Sequence, residues 1–394
     1  MKVVIAGGGI GGMAAAAALL GRGIDVEVYE QAPALTEVGA GIQISPNGSR
    51  ALDSLGVFDR LQAVSCEPER KEFRLWNTGK TYPLFDLGDA ARKTYGYPYL
   101  TVYRPDMLDV LADRVRSLKA DAIHLGAKVT GAEQDGSSAS LLLDDGTRAT
   151  GDVVLGADGW RSAVRTAVWG EYAPAFSGMV AWRAVIDWDK LPQSMREMLG
   201  LTWIGPGAHS VSYPLHGGAL LNFVGTVEGK TWTAEGGSTV GDKAECHDDF
   251  AGWHEQIHTL IDLAPSLLKW ALVRWEPIDR WSSGRVTLAG DAAHATLPFL
   301  AQGAVHSIED GVVLARALEA YADPVQALSR YEAARAPRTA RMVRGATDNT
   351  WRFHSPELAT PQGADAFMAR EYSQEPITER YDWLYSYDAT TAPL

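Results

Sequence analysis

The opening of the chain alternates sharply between apolar runs and glycine. Val3-Val4-Ile5-Ala6 is a short, fully apolar run of the kind that fills a buried strand. Six residues follow, five of them glycine, and then an Ala/Leu stretch to Leu20 with helical character. Gly21 to Gly23 ends that helix, and Asp25 to Tyr29 alternates as a second strand closing on Glu30. The pattern predicts a strand–helix–strand unit. A second glycine-punctuated segment, from Val38 through Gly41 to Ile44, precedes a helix expected to be capped near Asn47.

Further on, Met107, Leu108, Leu111 and Val115 recur at helical spacing and predict a helix over 106–118. Residues 128–157 read as a meander turning at Asp135-Gly136 and Asp144-Asp145-Gly146, and ending in the buried strand Val153 to Ala157. From 176 to 276 the character changes to alternating segments with dispersed tryptophans. His209–Leu215 and Leu220–Val227 form a hairpin around Gly217-Gly218, and one helix carries Phe250, Trp253, Ile257, Leu260 and Ile261. Val286 to Ala289 is again a buried strand, and helices are expected over 303–320 and 324–350. The aromatic segment Tyr381 to Tyr387 packs on the body.

The resulting fold class is α/β. A Rossmann-like domain with an inserted, mostly antiparallel sheet domain and C-terminal helices is expected. The nucleotide-binding domain is drawn from residues 1–70, 100–175 and 277–350, the inserted sheet from 71–99 and 176–276, and a tail from 351–394. Composition agrees with a folded protein: 394 residues, 46% hydrophobic and 22% charged. Basic residues number 36 against 49 acidic ones, a net charge of −13 that argues against nucleic acid and anionic lipid as partners. Two cysteines, Cys66 and Cys246, give no disulfide framework and point to a cytoplasmic setting. The longest apolar run, Gly12 to Leu20, is too short to span a membrane, and its glycines suit a turn better than a signal peptide.

Gly7, Gly9 and Gly12 fill a G-x-G-x-x-G pattern between strand and helix. The first glycine allows the tight turn, the second lets a pyrophosphate approach the backbone, and the third lets helix and strand pack closely. The amides at the helix start then hold phosphate oxygens. Glu30, ending the second strand, can hold a ribose hydroxyl pair, which favours NAD or FAD over NADP at this site. Gly290-Asp291 and Asp158-Gly159 are each either a turn with a helix cap or a cofactor contact. His254-Glu255-Gln256-Ile257-His258 is a literal H-E-x-x-H, but its neighbours suit a surface helix of the sheet domain and no metal site is expected there.

Taken in order, Gly7-x-Gly9-x-x-Gly12, Asp158-Gly159-x-x-Ser162-x-x-Arg165 and Gly290-Asp291-Ala-Ala-His294 with Pro298 and Gly303 resemble the motifs of the single-component FAD-dependent aromatic hydroxylases. These form the para-hydroxybenzoate hydroxylase fold family, and the resemblance covers nearly the whole chain. Within it, Gly39-Ala40-Gly41-Ile42-Gln43 and Asp382-Trp383-Leu384 look most like 3-hydroxybenzoate 6-hydroxylases, with salicylate hydroxylases and 6-hydroxynicotinate 3-monooxygenases also similar. The 6-hydroxynicotinate enzymes tend to carry histidines where this chain has Gln43 and Phe299, and the 3-hydroxybenzoate enzymes a glutamine at Pro298.

The resemblance implies non-covalent FAD, held by Gly7, Gly9, Gly12 and Glu30 at its adenosine half, by Arg104 and Gln43, by Asp158, and by Asp291 at the ribityl chain. The helix starting at Gly303 would face the flavin ring. It also implies NADH or NADPH and O₂ as co-substrates, a flavin C4a-hydroperoxide as oxygen donor, and a small phenolic acid of the hydroxybenzoate or salicylate type as substrate. A hydroxypyridine acid, and a flavin reductase that inserts no oxygen, are the alternatives. His209 and Tyr213, four residues apart, share one face of a strand. A histidine, with an ordinary pKa of about 6.5, is a fitting base for a substrate phenol. Tyr213 would hold the phenolate oxygen or relay the proton, and Pro298 is the third candidate catalytic residue. A monomer or homodimer is expected.

Overall fold

The computed structural model describes residues 1–35, 40–172, 174–233, 237–372 and 377–394. Val38 and Gly39 of the second glycine-punctuated segment lie outside them.

The strand Lys2–Ala6 is apolar from Val3 onward because it sits inside a six-stranded sheet. It pairs in parallel with Asp25–Glu30 on one side and Val153–Gly156 on the other. Val286–Leu288 joins in parallel beyond the latter, so the sheet is assembled from segments nearly 290 residues apart. The helix Ile10–Leu20 crosses this sheet and packs on the long helix Gly303–Ala320. Its alanines are the reason the two backbones approach so closely. A Cβ placed on Gly311 would lie 2.7 Å from the Ala15 Cα.

The meander is as expected, three antiparallel strands over Val129–Gln134, Ala139–Leu143 and Arg148–Gly151. The second sheet has eight strands and is antiparallel except where Gly200–Gly205 runs parallel to Arg70–Leu75. The predicted hairpin forms, with Ala208–Leu215 paired to Leu220–Val227. One face of this sheet packs against Phe250, Trp253, Ile257 and Leu260 with Trp182, Trp203 and Phe223. The opposite face turns towards the first sheet and carries the polar side chains described below.

Four local expectations are corrected. The helix near residue 47 is Pro46–Ser54 with Ser45 as its N-cap, and Asn47 is buried inside, bonded to Ser45, Gln302 and Glu309. The single helix expected around 250–261 is two, Lys243–Asp249 and Glu255–Leu263, broken at Phe250 and Gly252, where φ is +80°. The H-E-x-x-H residues therefore do not share a helical face. His254 is the N-cap of the second helix, accepting from the Gln256 amide, while His258 pairs with His247 on the first. The helix expected to end at 350 continues to His354 despite Pro337.

Candidate active site

A cavity of about 380 Å³ lies where the two sheets face each other. Its floor is the first glycine loop, with Gly9, Ile10 and Gly11 at the start of the first helix. Its side walls are Ala40–Gln43, Ala289–Asp291 and Pro298–Ala304. Its roof is the polar face of the eight-stranded sheet. The period-two alternation of strands puts Lys71 and Phe73, Arg183, His209, Val211 and Tyr213, and Val224 and Thr226 on that one face.

The floor is shaped for a phosphate-bearing group. Gly7 adopts φ +98°, and a Cβ there would meet the Ala157 carbonyl oxygen at 2.4 Å. A Cβ on Gly12 would meet the Gly7 carbonyl oxygen at 2.0 Å. Gly9, by contrast, faces open space, so its missing side chain leaves room for a ligand rather than for protein. No side chain caps the helix that Gly9 begins, so its first amides point into that space. The Glu30 carboxylate sits beside the loop, accepting from the Gly8 amide at 2.6 Å and the Ala32 amide at 2.8 Å.

Asp158 caps the helix Ala163–Trp169 through one oxygen, accepting from the Ala163 and Val164 amides, while its Oδ1 is buried without a partner. Burial raises its pKa against those hydrogen bonds. An orphaned carboxylate oxygen next to the cavity residues Ala157 and Gly159 is what a hydroxyl-bearing cofactor would satisfy. Asp291 opens a short helix after Gly290 and is exposed to the cavity. Arg104 lines the same wall. Burial lowers its pKa, and the charge of Asp291 opposes that. These residues fit FAD: an open phosphate cradle, two carboxylates for hydroxyl groups, and a cation nearby.

The Gly290 turn is braced by a network that sequence reasoning missed. Asp310 accepts from the Gly290 amide and from His294 Nε2 through one oxygen, and from Arg335 Nε through the other, at 2.6–2.9 Å. The neighbouring Glu309 pairs with Arg335 and Arg338. Glu309, Asp310 and Arg335 are wholly buried. Thus His294, part of the Gly290–His294 motif, points away from the cavity and acts as a brace. The available signal was the Glu309-Asp310 pair amid the apolar residues Val305, Ile308, Val312 and Val313, with Arg335 and Arg338 on the next helix.

On the roof, Tyr213 lies close to the loop at Gly41. A Cβ on Gly41 would come within 2.6 Å of the Tyr213 ring, and its amide donates to Asn222 Oδ1. Burial raises the Tyr213 pKa, opposed by the Arg183 charge and a hydrogen bond from Gln43. Lys71 Nζ donates to Tyr99, whose hydroxyl donates to Gln43, at 2.8 and 2.7 Å. Burial pushes the Lys71 ammonium down to about 7. Arg183 stacks over the Trp270 ring, 5.0 Å from its centre. His209 is buried between the rings of Phe299 and Phe353. Burial depresses its pKa, and the neighbouring His354 adds to the effect. The cavity therefore gathers Gly9, Gln43, Arg104, His209, Tyr213, Asp291, Pro298 and Gly303 on its lining, with Gly7, Gly12, Glu30 and Asp158 one layer behind.

A family model described as an FAD binding domain matches residues 1–346. A 3-amino-4-hydroxybenzoate 2-monooxygenase of Streptomyces platensis is 36% identical over 98% of this chain and 96% of its own length. A 3-hydroxybenzoate 6-hydroxylase of Polaromonas naphthalenivorans is 35% identical over 98% and 96%. A 6-hydroxynicotinate 3-monooxygenase of Pseudomonas fluorescens is 35% identical over 93% and 95%. Among solved structures, Klebsiella pneumoniae HpxO complexed with FAD and uric acid superposes with a TM-score of 0.82 at 28% identity, covering all of this chain and 97% of the other. No helix among the described residues is long and apolar enough to cross a membrane. The chain belongs to the FAD-dependent aromatic hydroxylase family, and FAD is its cofactor.

Proposed function

We propose that this chain hydroxylates a small aromatic acid bearing a ring hydroxyl, at the expense of NADH or NADPH and O₂. The observation that carries the reading is the shared cavity. His209, Tyr213, Lys71 and Arg183 face the same space as the glycine loop and Asp291. The three relatives named above act, by their names, on 3-amino-4-hydroxybenzoate, 3-hydroxybenzoate and 6-hydroxynicotinate, each a ring carrying one hydroxyl and one carboxylate.

FAD, when bound, supplies the redox chemistry with O₂. Gly7, Gly9, Gly12 and Glu30 would hold its dinucleotide end, Asp158, Asp291 and Arg104 its middle, and Gln43 and the helix start at Gly303 would border its ring. The chain's own residues prepare the substrate. Lys71 and Arg183 favour a carboxylate in a cavity otherwise lined by Phe73, Val224 and Phe299. A carboxylate beside Lys71 restores the charge that burial disfavours. His209, neutral in its buried setting, accepts the ring hydroxyl proton and so makes the ring electron-rich. Tyr213 holds the resulting oxyanion by donating its hydroxyl proton into a hydrogen bond. Pro298 and Phe299 exclude water from the reacting edge.

The test is product analysis of His209→Ala with the three acids named above. The variant should still consume NADH when an acid is added, but release hydrogen peroxide in place of hydroxylated product. Removing a general base costs about 10²–10⁴-fold in the step that it serves. Hydroxylation should recover at high pH, where the phenol ionises unaided. Parent-level hydroxylation at neutral pH would remove His209 from the role. NADH oxidation with no hydroxylated product from the parent would favour a reductase.

A further inference from the structure

His209 does not stand alone. Its Nδ1 lies 2.6 Å from His354 Nε2, at the C-terminus of the helix Pro324–His354. His354 Nδ1 in turn lies 2.6 Å from a carboxylate oxygen of Glu228, just past the strand Leu220–Val227. His209 and His354 are almost fully buried, whereas the Glu228 side chain is 43% exposed. Three titratable groups therefore run in line from the cavity to the surface.

The line fixes its own tautomers. An ionised Glu228 can only accept, so His354 carries its proton on Nδ1. His354 Nε2 is then an acceptor, so His209 carries its proton on Nδ1. That leaves His209 Nε2 as a bare acceptor, the form a general base needs. The His354 hydrogen bond holds Glu228 below the ordinary carboxylate range against partial burial, with the charge of Arg274 adding to it. Among the described residues, Arg274, Glu228 and His354 are the charged or titratable groups acting on this line, and the rings of Phe299 and Phe353 pack against His209.

We propose that His354 and Glu228 form a proton relay that carries the substrate's phenolic proton from His209 to solvent. This rests on His209 being the base. The phenol O–H bond breaks and an N–H bond forms at His209 Nε2. The Nδ1 proton of His209 passes to His354 Nε2, the Nδ1 proton of His354 passes to Glu228, and Glu228 releases it to water. One proton enters at the cavity and one leaves at the surface, with no change of oxidation state, and a proton returning along the same line to the product restores the starting tautomers. The relay matters because an imidazolium buried between phenylalanine rings is costly, and passing the charge outward removes it.

The test uses the FAD-loaded protein with 3-hydroxybenzoate as probe. Phenolate formation is read by its ultraviolet difference band, and proton release by an indicator dye in weak buffer after rapid mixing. Neither readout requires turnover. Glu228→Gln alters an exposed position and should keep flavin occupancy and probe affinity. It should slow proton release by about tenfold or more, the order expected when a proton acceptor is removed. His354→Gln can still donate to Glu228 and accept from His209, but an amide passes no proton. It should keep phenolate formation at equilibrium while slowing release to the same degree. His209→Ala should lose phenolate formation altogether. If His209→Ala does so while both other variants release the proton at the parent rate, the relay is wrong and the base stands. If His209→Ala still ionises the probe, the base reading falls and takes the relay with it.

Discussion

Replacing Asp310 by Asn would test the buried network beneath the Gly290 turn. The two side chains have nearly the same shape, so the change isolates charge and hydrogen-bond direction. Burial alone would raise the Asp310 pKa, but His294, Arg335 and the Gly290 amide hold it down to about 2. Against an ordinary value of 3.8 that depression corresponds to stability on the order of 2 kcal/mol at neutral pH. The sign follows from the depressed value. The contribution is complete above pH ~4 and is lost as pH falls through ~2. The amide also brings a donor to a site where three donors already converge, so the loss should approach the ~3–5 kcal/mol seen when a buried ion pair loses one partner. Urea unfolding of the FAD-saturated protein at pH 7 should show a lower midpoint with an unchanged slope. The gap between variant and parent should narrow as the pH falls from 4 towards 2. A difference below ~0.5 kcal/mol at pH 7 would mean that the network carries no net stabilisation, as some buried ion pairs do not.

Asp291→Ala should lose FAD on gel filtration while its unfolding without added FAD stays near that of the parent, because the side chain is exposed and braces nothing. Full flavin retention would refute its role. Gly12→Ala should give colourless protein, since its Cβ would meet backbone oxygen at 2.0 Å and a backbone atom cannot swing aside. Normal FAD content would show that the loop can shift. Lys71→Met should weaken binding of 3-hydroxybenzoate by about tenfold, as loss of one charge-assisted hydrogen bond allows, and leave phenol binding unchanged. Equal effects on both ligands would place the carboxylate elsewhere.

The elements nearest the cofactor were the most legible in the sequence, for a physical reason. A glycine turn between a buried strand and a helix is dictated by local backbone sterics, and Gly7 and Gly12 show those sterics directly. The hairpin carrying His209 and Tyr213 was also readable, because its alternation and glycine turn are local. What escaped was non-local. His354 was invisible as a partner of His209 because 145 residues separate them and a helix end brings them together. Lys71 and Arg183 looked like ordinary strand residues until the sheet was closed around them. The H-E-x-x-H run was set aside as a metal site from sequence, and only its helix start was misplaced. Its spacing presumes a helix that Gly252 delays, so His254 became a cap.

The central position of the first strand bears on how the chain folds as it is synthesised. Lys2–Ala6 leaves the ribosome well ahead of its neighbour Val153–Gly156, about 150 residues later, and Val286–Leu288 must follow before the sheet is complete. At about 5–20 residues per second, the first strand waits roughly 7–30 s for Val153–Gly156, its second parallel partner, and that strand waits a similar time for Val286–Leu288. During those intervals a buried, mostly apolar strand has an unpaired edge, a natural client for a chaperone. The eight-stranded sheet, whose strands lie mostly within residues 175–274, can close in the meantime. The order of assembly is then inverted relative to the order of the chain. The inserted sheet can form ahead of the sheet that encloses it in sequence, and the cofactor cradle, which needs Gly290-Asp291, is completed only afterwards.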